Sequence, residues 1–446
     1  MQMITKALSK YVAGLEYGHL PPRVINMTRV AVMDWMGSVL AGSQQEPARI
    51  AAGVVRKEGG NPQSTMIGFG EKTSVSRAAL VNGVSSHILE MDDLHKDSIL
   101  HPAAPIISAA AAMAESENSD GKRFITGVVA GYEAGIRIAE AISPSHYYYW
   151  HTTGTCGTFG AAAAAANIAS LNEEETLNAM GSAGTQAAGL WEFLQDGAMS
   201  KHLHPGKAAM NGILSVVFAR EGFTGARKIL EGEKGFFKAM AAEIDESKIV
   251  QGLGEEYKIL GNSYKIYPSC RHTHGIVDLA VELAEEGINI DDIVKIDVKT
   301  YNVAKDIVGN PRPQTPFEAK FSLRFCLARA LMDGKLVLES FDHNAINDPK
   351  VKELMSRCTV DDDPQISALY PASWSSRIEV ALRNGQVLKK ETGYPKGDPE
   401  NPATENELKL KFKRLALLTV DEKRVGEIMD NLENLEQMDN ISSLLF

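Results

Sequence analysis

Cysteine is scarce, with 4 residues in a chain of 446. The four stand far apart, at Cys156, Cys270, Cys326 and Cys358. No pair has the close spacing of a zinc or iron–sulfur site, and the number is too small for a disulfide scaffold. The scarcity therefore indicates a reducing compartment. Because no base stands next to Cys156 in the sequence, we expect a buried structural thiol there rather than a nucleophile.

Long apolar runs and excess positive charge are missing as well. The longest apolar run, near residues 103–114, is too short and too rich in alanine to span a bilayer, and residues 1–20 lack the apolar core of a signal peptide. The net charge is −11, whereas binding to nucleic acid needs a basic face. We therefore expect a cytoplasmic protein with neither a membrane nor nucleic acid as a partner.

Several signature loops are absent too. The sequence has no Walker loop, no GxGxxG between a strand and a helix, and no GxSxG elbow. Nucleotides and dinucleotides are therefore unsupported as ligands.

Length and periodicity predict a mainly α protein with two domains. Residues 1–265 are rich in alanine and carry apolar residues at helical spacing, which predicts a large all-helical domain. Helices are expected at residues 24–40, 78–89, 105–114, 124–141, 160–169, 173–183 and 208–220. The six alanines at 161–166 predict a helix in the middle of the bundle, because small side chains let helices approach closely.

Beyond residue 265 the pattern changes. Residues 294–299 and 378–383 alternate between apolar and polar, which predicts strands, and Asn384-Gly385 predicts a hairpin with a type I′ turn. Residues 266–402 are therefore expected to form a smaller α+β lid domain. Helix returns at Thr404, which can form a capping box with Glu407. We expect the amphipathic tail, residues 403–446, to rejoin the helical domain.

Histidine is the residue whose placement carries most information. Nine of the 11 histidines lie between His87 and His274. They form four clusters, which are His87/His95/His101, His146/His151, His202/His204 and His272/His274. A solvated surface has no need to gather the side chain that titrates near neutral pH, whereas a pocket that moves protons on an anionic substrate does.

The first two clusters lie in loops. Three carboxylates, Glu90, Asp92 and Asp93, precede His101-Pro102 and predict either a loop mouth at an active site or a solvated acidic loop. Residues 151–157 are small and lead into the alanine-rich helix. They predict an anion site at a helix N-terminus or, alternatively, a tight corner between helices.

The other two clusters are cationic. Residues 201–207 place two lysines and two histidines at the expected start of a helix, with Lys207 near the first turn, as in an anion site or a basic surface turn. Residues 265–274 lie where helix gives way to strand, and domain junctions favour small-molecule sites. His272 and His274 invite a metal interpretation, but no third ligand follows and the neighbouring Arg271 repels a cation, so we expect no metal.

At this point the chain resembles the MmgE/PrpD family over essentially its whole length. The stretches that carry the resemblance are HILEMDDLHKDSILHPAAP, GYEAGIRIAEAI, WHTTGTCGTFGAAAAAANIASL, MSKHLHPGKAAMNGILSVVFAREGFTG, KIYPSCRHTH, FEAKFSLRF and KGDPENP. The family includes 2-methylcitrate dehydratases, cis-aconitate decarboxylases and an iminodisuccinate epimerase. The resemblance implies a helical domain with an α+β lid, a homodimer, and no metal or organic cofactor.

The resemblance also implies site residues. Its catalytic positions fall on His101, His151, Lys201 and His274. The family's active-site carboxylate falls on Glu90, where Asp is more usual, and the sequence also departs at Leu94 and Ala103, where Thr and Ser are common.

These reactions make or break a bond at a carbon next to a carboxylate, so charge spread onto that carboxylate must be stabilised. We hypothesise that Lys201, with Arg271 or Lys265, holds the carboxylate. His151 or His274 then moves the proton on carbon. His101, steered by Asp93 or Glu90, serves the leaving group as a general acid, which makes Asp93 a fifth catalytic residue. The residues expected to contact substrate are Glu90, Asp92, Thr152, His204, Lys207, Lys265 and Arg271.

The leading functional prediction is a cofactor-independent hydro-lyase acting on a small di- or tricarboxylate such as 2-methylcitrate. Decarboxylation of cis-aconitate is the alternative, followed by epimerisation of a dicarboxylate, which needs bases on both faces of one carbon. A non-catalytic helical binding protein is the alternative from a different class.

Overall fold

The computed structural model describes residues 3–445, and these form two compact units. The first unit holds the described residues up to Ser263 and those from Thr404 onward, and the second holds Tyr264–Ala403. The prediction of a mainly α fold with a smaller α+β part is confirmed, because helices dominate the chain and the larger sheet lies in the second unit. No helix in the described part of the chain has the length and apolar character needed to cross a membrane.

Helices build the N-terminal part of the first unit. In chain order they are α1 Ile4–Gly14, α2 Pro22–Ser43, α3 Glu46–Glu58, α4 Val75–His87, α5 Ala103–Ser116, α6 Gly121–Ile142, α7 Thr152–Ile168, α8 Glu173–Gly184, α9 Phe193–Asp196, α10 Ser200–Arg220, α11 Phe236–Met240 and α12 Ser247–Val250. Two short antiparallel ribbons accompany them, β1 Ser64–Met66 with β2 Glu71–Thr73, and β3 Leu94–His95 with β4 Asn262–Ser263.

The alanine-rich helix α7 is buried over its whole length, as its small side chains predict. It begins at Thr152, eight residues before the predicted start at residue 160. Its first two turns are mostly threonine and glycine, which favour helix only weakly in isolation, so tertiary packing decides their conformation. The early start makes His151 the residue immediately before the helix.

Helices α4 and α10 approach each other closely. A Cβ atom added to Gly83 of α4 would lie 2.7 Å from the Cα atom of Gly206 of α10, so a side chain at this crossing would force the helices apart. Gly83 lies one turn before His87, which ends α4, and Gly206 lies five residues after Lys201. The crossing thus brings two candidate site residues into one neighbourhood.

The second unit combines helices with a mixed sheet. Its helices are α13 His274–Glu285, α14 Asn302–Val308, α15 Pro316–Lys320, α16 Leu323–Asp333, α17 His343–Asn347, α18 Pro349–Ser356 and α19 Pro364–Ser367. Its strands are β5 Ile293–Thr300, β6 Cys358–Asp362, β7 Ser376–Leu382 and β8 Val387–Thr392, in the order β6-β5-β7-β8. Strands β5 and β6 are parallel, and the other neighbours are antiparallel.

The hairpin between β7 and β8 is confirmed, but its predicted turn type is wrong. A type I′ turn needs positive φ at both central residues, whereas in this loop only Gly385, with φ of 85°, has it. The Gly385 N–H donates to the Leu382 carbonyl at 3.0 Å, and the Leu382 N–H donates to the Gln386 carbonyl at 2.9 Å. The connection is therefore a turn closed by a glycine in the left-handed region, which leaves Asn384 at negative φ.

The C-terminal helices α20 Glu405–Ala416, α21 Glu422–Glu433 and α22 Ser442–Leu445 belong to the first unit, and α20 packs along α2. The predicted capping box is confirmed, because Thr404 and Glu407 each accept a hydrogen bond from the other's backbone N–H. Lys411 on the buried face of α20 donates to Asp34 Oδ1 of α2 at 2.5 Å. The same Nζ atom donates to the Met91 carbonyl at 2.5 Å, so this helix reaches the loop that follows α4.

Candidate active site

The acidic loop between α4 and α5 is buried rather than solvated. Glu90 is 1% exposed, and Asp92 and Asp93 are fully enclosed, which excludes the interpretation as a solvated surface loop. Glu90 and Ile99 adopt positive φ values of 58° and 50°. Residues other than glycine rarely occupy this region, so surrounding contacts must hold the loop in a costly conformation.

Asp92 joins two of the histidines. Its Oδ2 atom lies 2.6 Å from His87 Nδ1 and 3.3 Å from His101 Nδ1. Burial by itself raises the pKa of the Asp92 carboxyl, but His87 and His101 outweigh burial and hold that pKa well below its ordinary value. Asp92 is therefore an ionised carboxylate that lies beside two imidazoles.

Asp93 has a different role from the one that we expected. Its carboxylate accepts hydrogen bonds from Tyr132 Oη at 2.6 Å, Asn262 Nδ2 at 2.7 Å and the Ala103 N–H at 3.0 Å. Burial, reinforced by the charge of Asp34, raises the pKa of Asp93 to about 7 despite these bonds.

The steering of His101 by the Asp93 carboxylate is therefore corrected. His101 Nδ1 donates to the backbone carbonyl of Asp93 at 2.6 Å, and the carboxylate beside it belongs to Asp92. The correction has a simple geometric cause, since the Asp93 side chain points towards α6 and β4, where Tyr132 and Asn262 lie.

His151 stands before α7 in the same neighbourhood. Its ring centroid lies 5.6 Å from that of His87 and 6.4 Å from that of His101. Its Nδ1 atom lies 3.1 Å from His204 Nδ1, so one of these nitrogens carries a proton and the other accepts it. Burial, and then the neighbouring His204, lower the pKa of His151 well below its ordinary value, so this imidazole is neutral. Burial likewise lowers the pKa of His204 to about 4.

Lys201 and Glu90 form a buried ion pair. Lys201 Nζ donates to Glu90 Oε1, and both side chains are almost fully enclosed. Helix α10 begins at Ser200 rather than at residue 208 and contains Pro205, so Lys201 lies in its first turn and Lys207 does not. A proline within the first two turns removes few helical hydrogen bonds, which explains why the helix extends past it. Lys207 is half-buried, and burial lowers its pKa.

Two threonines of α7 hold the loop that carries His101. Thr152 Oγ1 donates to the Ile99 carbonyl, and Thr153 Oγ1 accepts from the His101 N–H at 3.2 Å. The start of α7 therefore supports His101 through the backbone, and the predicted substrate residue Thr152 has its hydroxyl proton committed to Ile99.

The fourth predicted cluster lies in the second unit. Arg271 pairs with Asp398, donates to the Lys396 carbonyl at 2.9 Å, and has its Nη1 atom 3.0 Å from His274 Nδ1. His274 begins α13, and Lys265 is fully buried. His272 Nδ1 lies 2.6 Å from Tyr301 Oη, so the two histidines of this cluster have separate partners.

The sequence reasoning assigned no role to several residues that support the site from other elements. They are His87, Asp34, Tyr132, Asn262 and Lys411. Of these five residues, only His87 had a signal in the sequence, because it belongs to the first histidine cluster. The other four lie far away in the sequence, so no local spacing could predict their contacts with the loop after α4.

One group of potential metal ligands occurs among residues 3–445, namely His87, Asp92 and His101. In this group His87 Nδ1 lies 2.6 Å from Asp92 Oδ2, and His101 Nδ1 donates to the Asp93 carbonyl at 2.6 Å. Hydrogen bonding thus accounts for the arrangement.

The first unit therefore brings together Glu90, Asp92, His101, His151, Lys201 and His204. The group contains a neutral imidazole, a second imidazole beside an ionised carboxylate, and a lysine. Such a set can accept a proton, donate a proton and stabilise a negative charge on a small organic acid.

Comparison with known proteins agrees with this chemistry. A model of the MmgE/PrpD N-terminal domain matches residues 6–247, and one of the MmgE/PrpD C-terminal domain matches residues 267–436. Cis-aconitate decarboxylase of Homo sapiens is 26% identical, over 100% of this chain and 94% of its own length. The cis-aconitate decarboxylase-like protein oryM of Aspergillus oryzae is 24% identical, over 99% of this chain and 96% of its own.

Another relative matches over a shorter span. The 2-methylcitrate dehydratase of Cupriavidus necator is 24% identical, over 52% of this chain and 50% of its own length. Decarboxylases and dehydratases of this kind are lyases, and these similarities support an enzyme. Because the two domain models cover most of the sequence in the right order, the chain belongs to the MmgE/PrpD family.

Proposed function

We propose that this protein is a lyase that decarboxylates a small unsaturated tricarboxylate of the cis-aconitate kind. The observation that carries the lyase proposal is the buried set formed by His101, Asp92, His151 and Lys201 within the first unit. The reaction is chosen because cis-aconitate decarboxylases match the chain over nearly its whole length, whereas the dehydratases match about half of it.

The proposed reaction breaks the bond between a carbon and one carboxylate, which leaves as CO₂. The released electron pair forms a new double bond, the former double bond shifts, and its far carbon takes a proton. Negative charge develops on the remaining carboxylate next to that carbon, and Lys201 is the residue proposed to stabilise it. Glu90 fixes the lysine through the buried ion pair.

His101 is the proposed proton donor to carbon. The ionised Asp92 next to it stabilises the imidazolium form before the transfer. It stabilises that form again when the ring takes up a new proton from solvent. His87, whose Nδ1 atom lies 2.6 Å from the same Asp92 oxygen, keeps that carboxylate oriented. These contacts fix the orientation of the His101 ring.

Dehydration of a 2-hydroxytricarboxylate such as 2-methylcitrate is the second candidate. Elimination of water needs a base at the carbon and an acid at the leaving hydroxyl. The neutral His151 is suited to the first role and His101 to the second, and their ring centroids are 6.4 Å apart. The same residues thus serve either reaction, and substrate turnover must separate them.

The test is proton NMR of cis-aconitate and of 2-methylcitrate, each incubated with the protein in D₂O. A product with a terminal methylene group and one deuterium supports decarboxylation, and loss of water from 2-methylcitrate supports the second candidate. Exchange at carbon without net reaction would indicate an epimerase and contradict both. No change in either acid would contradict a lyase of these substrates and leave the binding-protein alternative.

A matched pair of histidine variants assigns the activity to the site. His101→Asn is expected to lower kcat about 100- to 10,000-fold, the usual range for a general acid. His343→Gln changes an exposed histidine of α17 and is expected to retain full activity. Equal activity of the two variants would contradict the role given to His101.

A further inference from the structure

A large cleft lies within the second unit, on residues that the proposed reaction does not use. Its volume is about 830 Å³, which is in the range of small-molecule sites. Arg312, Arg324 and Lys352 line it together with apolar residues that include Ile346 and Met355. We call this feature the cationic cleft.

The charge of the cationic cleft is opposite to that of the chain. Three cationic side chains line it, and no Asp or Glu does so among the residues that the structure describes. The whole chain, by contrast, has a net charge of −11. A local positive site in an acidic protein attracts small anions from solution.

Arg324, on α16, presents one buried donor atom that has no partner. Its Nε atom is buried and has no hydrogen-bond partner, and within residues 3–445 its guanidinium has no ion pair. By contrast, Arg357, a neighbour of this region, pairs with Glu353. A buried donor without an acceptor is costly, so Arg324 is prepared for an acceptor that comes from outside.

The remaining titratable group of the cationic cleft does not supply that acceptor. Cys358, at the start of β6, is buried, and burial raises the pKa of its thiol to about 12 although Arg324 opposes this effect. The thiol is therefore neutral at physiological pH. Asp297 also acts on this thiol, but no carboxylate of the described residues lines the cationic cleft beside Arg324.

We propose that the cationic cleft binds a small organic anion. Its carboxylate or phosphate group would pair with the guanidinium of Arg324, which matches both groups through two parallel hydrogen bonds. Arg312 and Lys352 add positive charge at the exposed rim, and Ile346 and Met355 receive the apolar part of the ligand. This proposal does not depend on the reaction proposed for the first unit.

The test follows the methyl group of Met355 by NMR in the full chain labelled with ¹³C at its methionine methyls. Met355→Leu identifies the signal. Butyrate and butyl phosphate are added up to about 20 mM, with butyramide as the neutral control. A saturable shift with either anion and none with butyramide supports the proposal, and the anion that saturates at the lower concentration identifies the preferred group. No saturable shift with either anion, or an equal shift with butyramide, overturns it.

Two arginine variants locate the binding. Arg324→Gln is expected to weaken the anion at least about tenfold, because the paired hydrogen bonds are lost. Arg414→Gln removes the same charge from an exposed position of α20 and is expected to bind as the wild type does. Unchanged affinity in Arg324→Gln, or equal loss in Arg414→Gln, overturns the proposal.

A further variant covers the possibility that circular dichroism shows Arg324→Gln to be unfolded. The double variant Arg312→Gln/Lys352→Met then replaces it, since both side chains are exposed and their removal leaves the core intact. About threefold weaker anion binding is expected from the lost rim charges, and unchanged affinity would overturn the proposal.

Discussion

Replacing Lys411 by methionine tests how the C-terminal helix α20 supports the candidate site. In the native protein Lys411 is buried and its ammonium group donates both to Asp34 and to the Met91 carbonyl. Methionine keeps most of the side-chain volume but removes the charge and both hydrogen bonds. Asp34 then loses its cationic partner in a buried position, and Met91 loses its donor.

The expected loss of stability follows from these contacts. Removing one partner of a buried ion pair costs about 3–5 kcal/mol. The first unit has about 300 residues, for which the entropy of unfolding is about 0.6 kcal/mol/K. Lys411→Met is therefore expected to lower the Tm of the first unit by about 5–8 °C, as measured by scanning calorimetry.

A double variant separates the ion pair from the backbone contact. Asp34→Leu/Lys411→Met removes both charges, and replacing a buried pair by apolar residues is often neutral in stability. The decrease in Tm should therefore be about half as large in the double variant as in Lys411→Met. The missing hydrogen bond to Met91 accounts for the decrease that remains. Both variants should have reduced kcat, because Met91 lies between Glu90 and Asp92 in the loop that carries the site. A double variant that melts at or below Lys411→Met, or a single variant that melts with the wild type, would refute this reasoning.

Three further predictions concern the site itself. His151→Gln is expected to lower kcat at least about 100-fold with little change in KM if the second candidate reaction is correct, which steady-state kinetics on 2-methylcitrate will check. Burial raises the pKa of Asp93 to about 7 from an ordinary value of 3.8, so the folded protein holds this proton more tightly than the unfolded chain does. The free energy of unfolding should therefore fall as pH rises from about 4 to about 7, and urea titrations of Asp93→Asn should show a shallower fall than the wild type. Because the Nδ1 atoms of His87 and His101 already have hydrogen-bond partners in Asp92 and in the Asp93 carbonyl, dialysis against EDTA should leave the activity unchanged, and a loss restored by a divalent metal would contradict this expectation.

Much of the fold could be predicted because its signals are local. The helical spacing of residues 24–40, the alternation of 294–299 and the capping box at Thr404 each depend on residues within a few positions of one another, and the structure has all three elements. The buried stripe of Val425, Ile428 and Leu432 is local in the same sense.

The starts of α7 and α10 could not be predicted, because their first turns contain glycine, threonine or proline and take their helical form from packing. The family resemblance drew attention to segments of the first unit from which the structure brings Glu90, His101, His151 and Lys201 into one neighbourhood. The resemblance could not show which hydrogen-bond partners each residue of a segment has. The Asp92 carboxylate lies beside histidines, whereas that of the adjacent Asp93 lies beside Tyr132 and Asn262. The pKa of Asp92 is therefore lowered and that of Asp93 is raised.

The reach of Lys411 to Met91 has a consequence for biosynthesis. The two residues are separated by 320 positions, and the whole second unit is translated between them. A ribosome that releases the chain from its N-terminus onward must therefore synthesise Tyr264–Ala403 before α20 can pack onto the loop that follows α4. Until then Asp34 lacks the hydrogen bond from Lys411. We therefore expect the nascent chain to be inactive even after all its histidine clusters have left the ribosome.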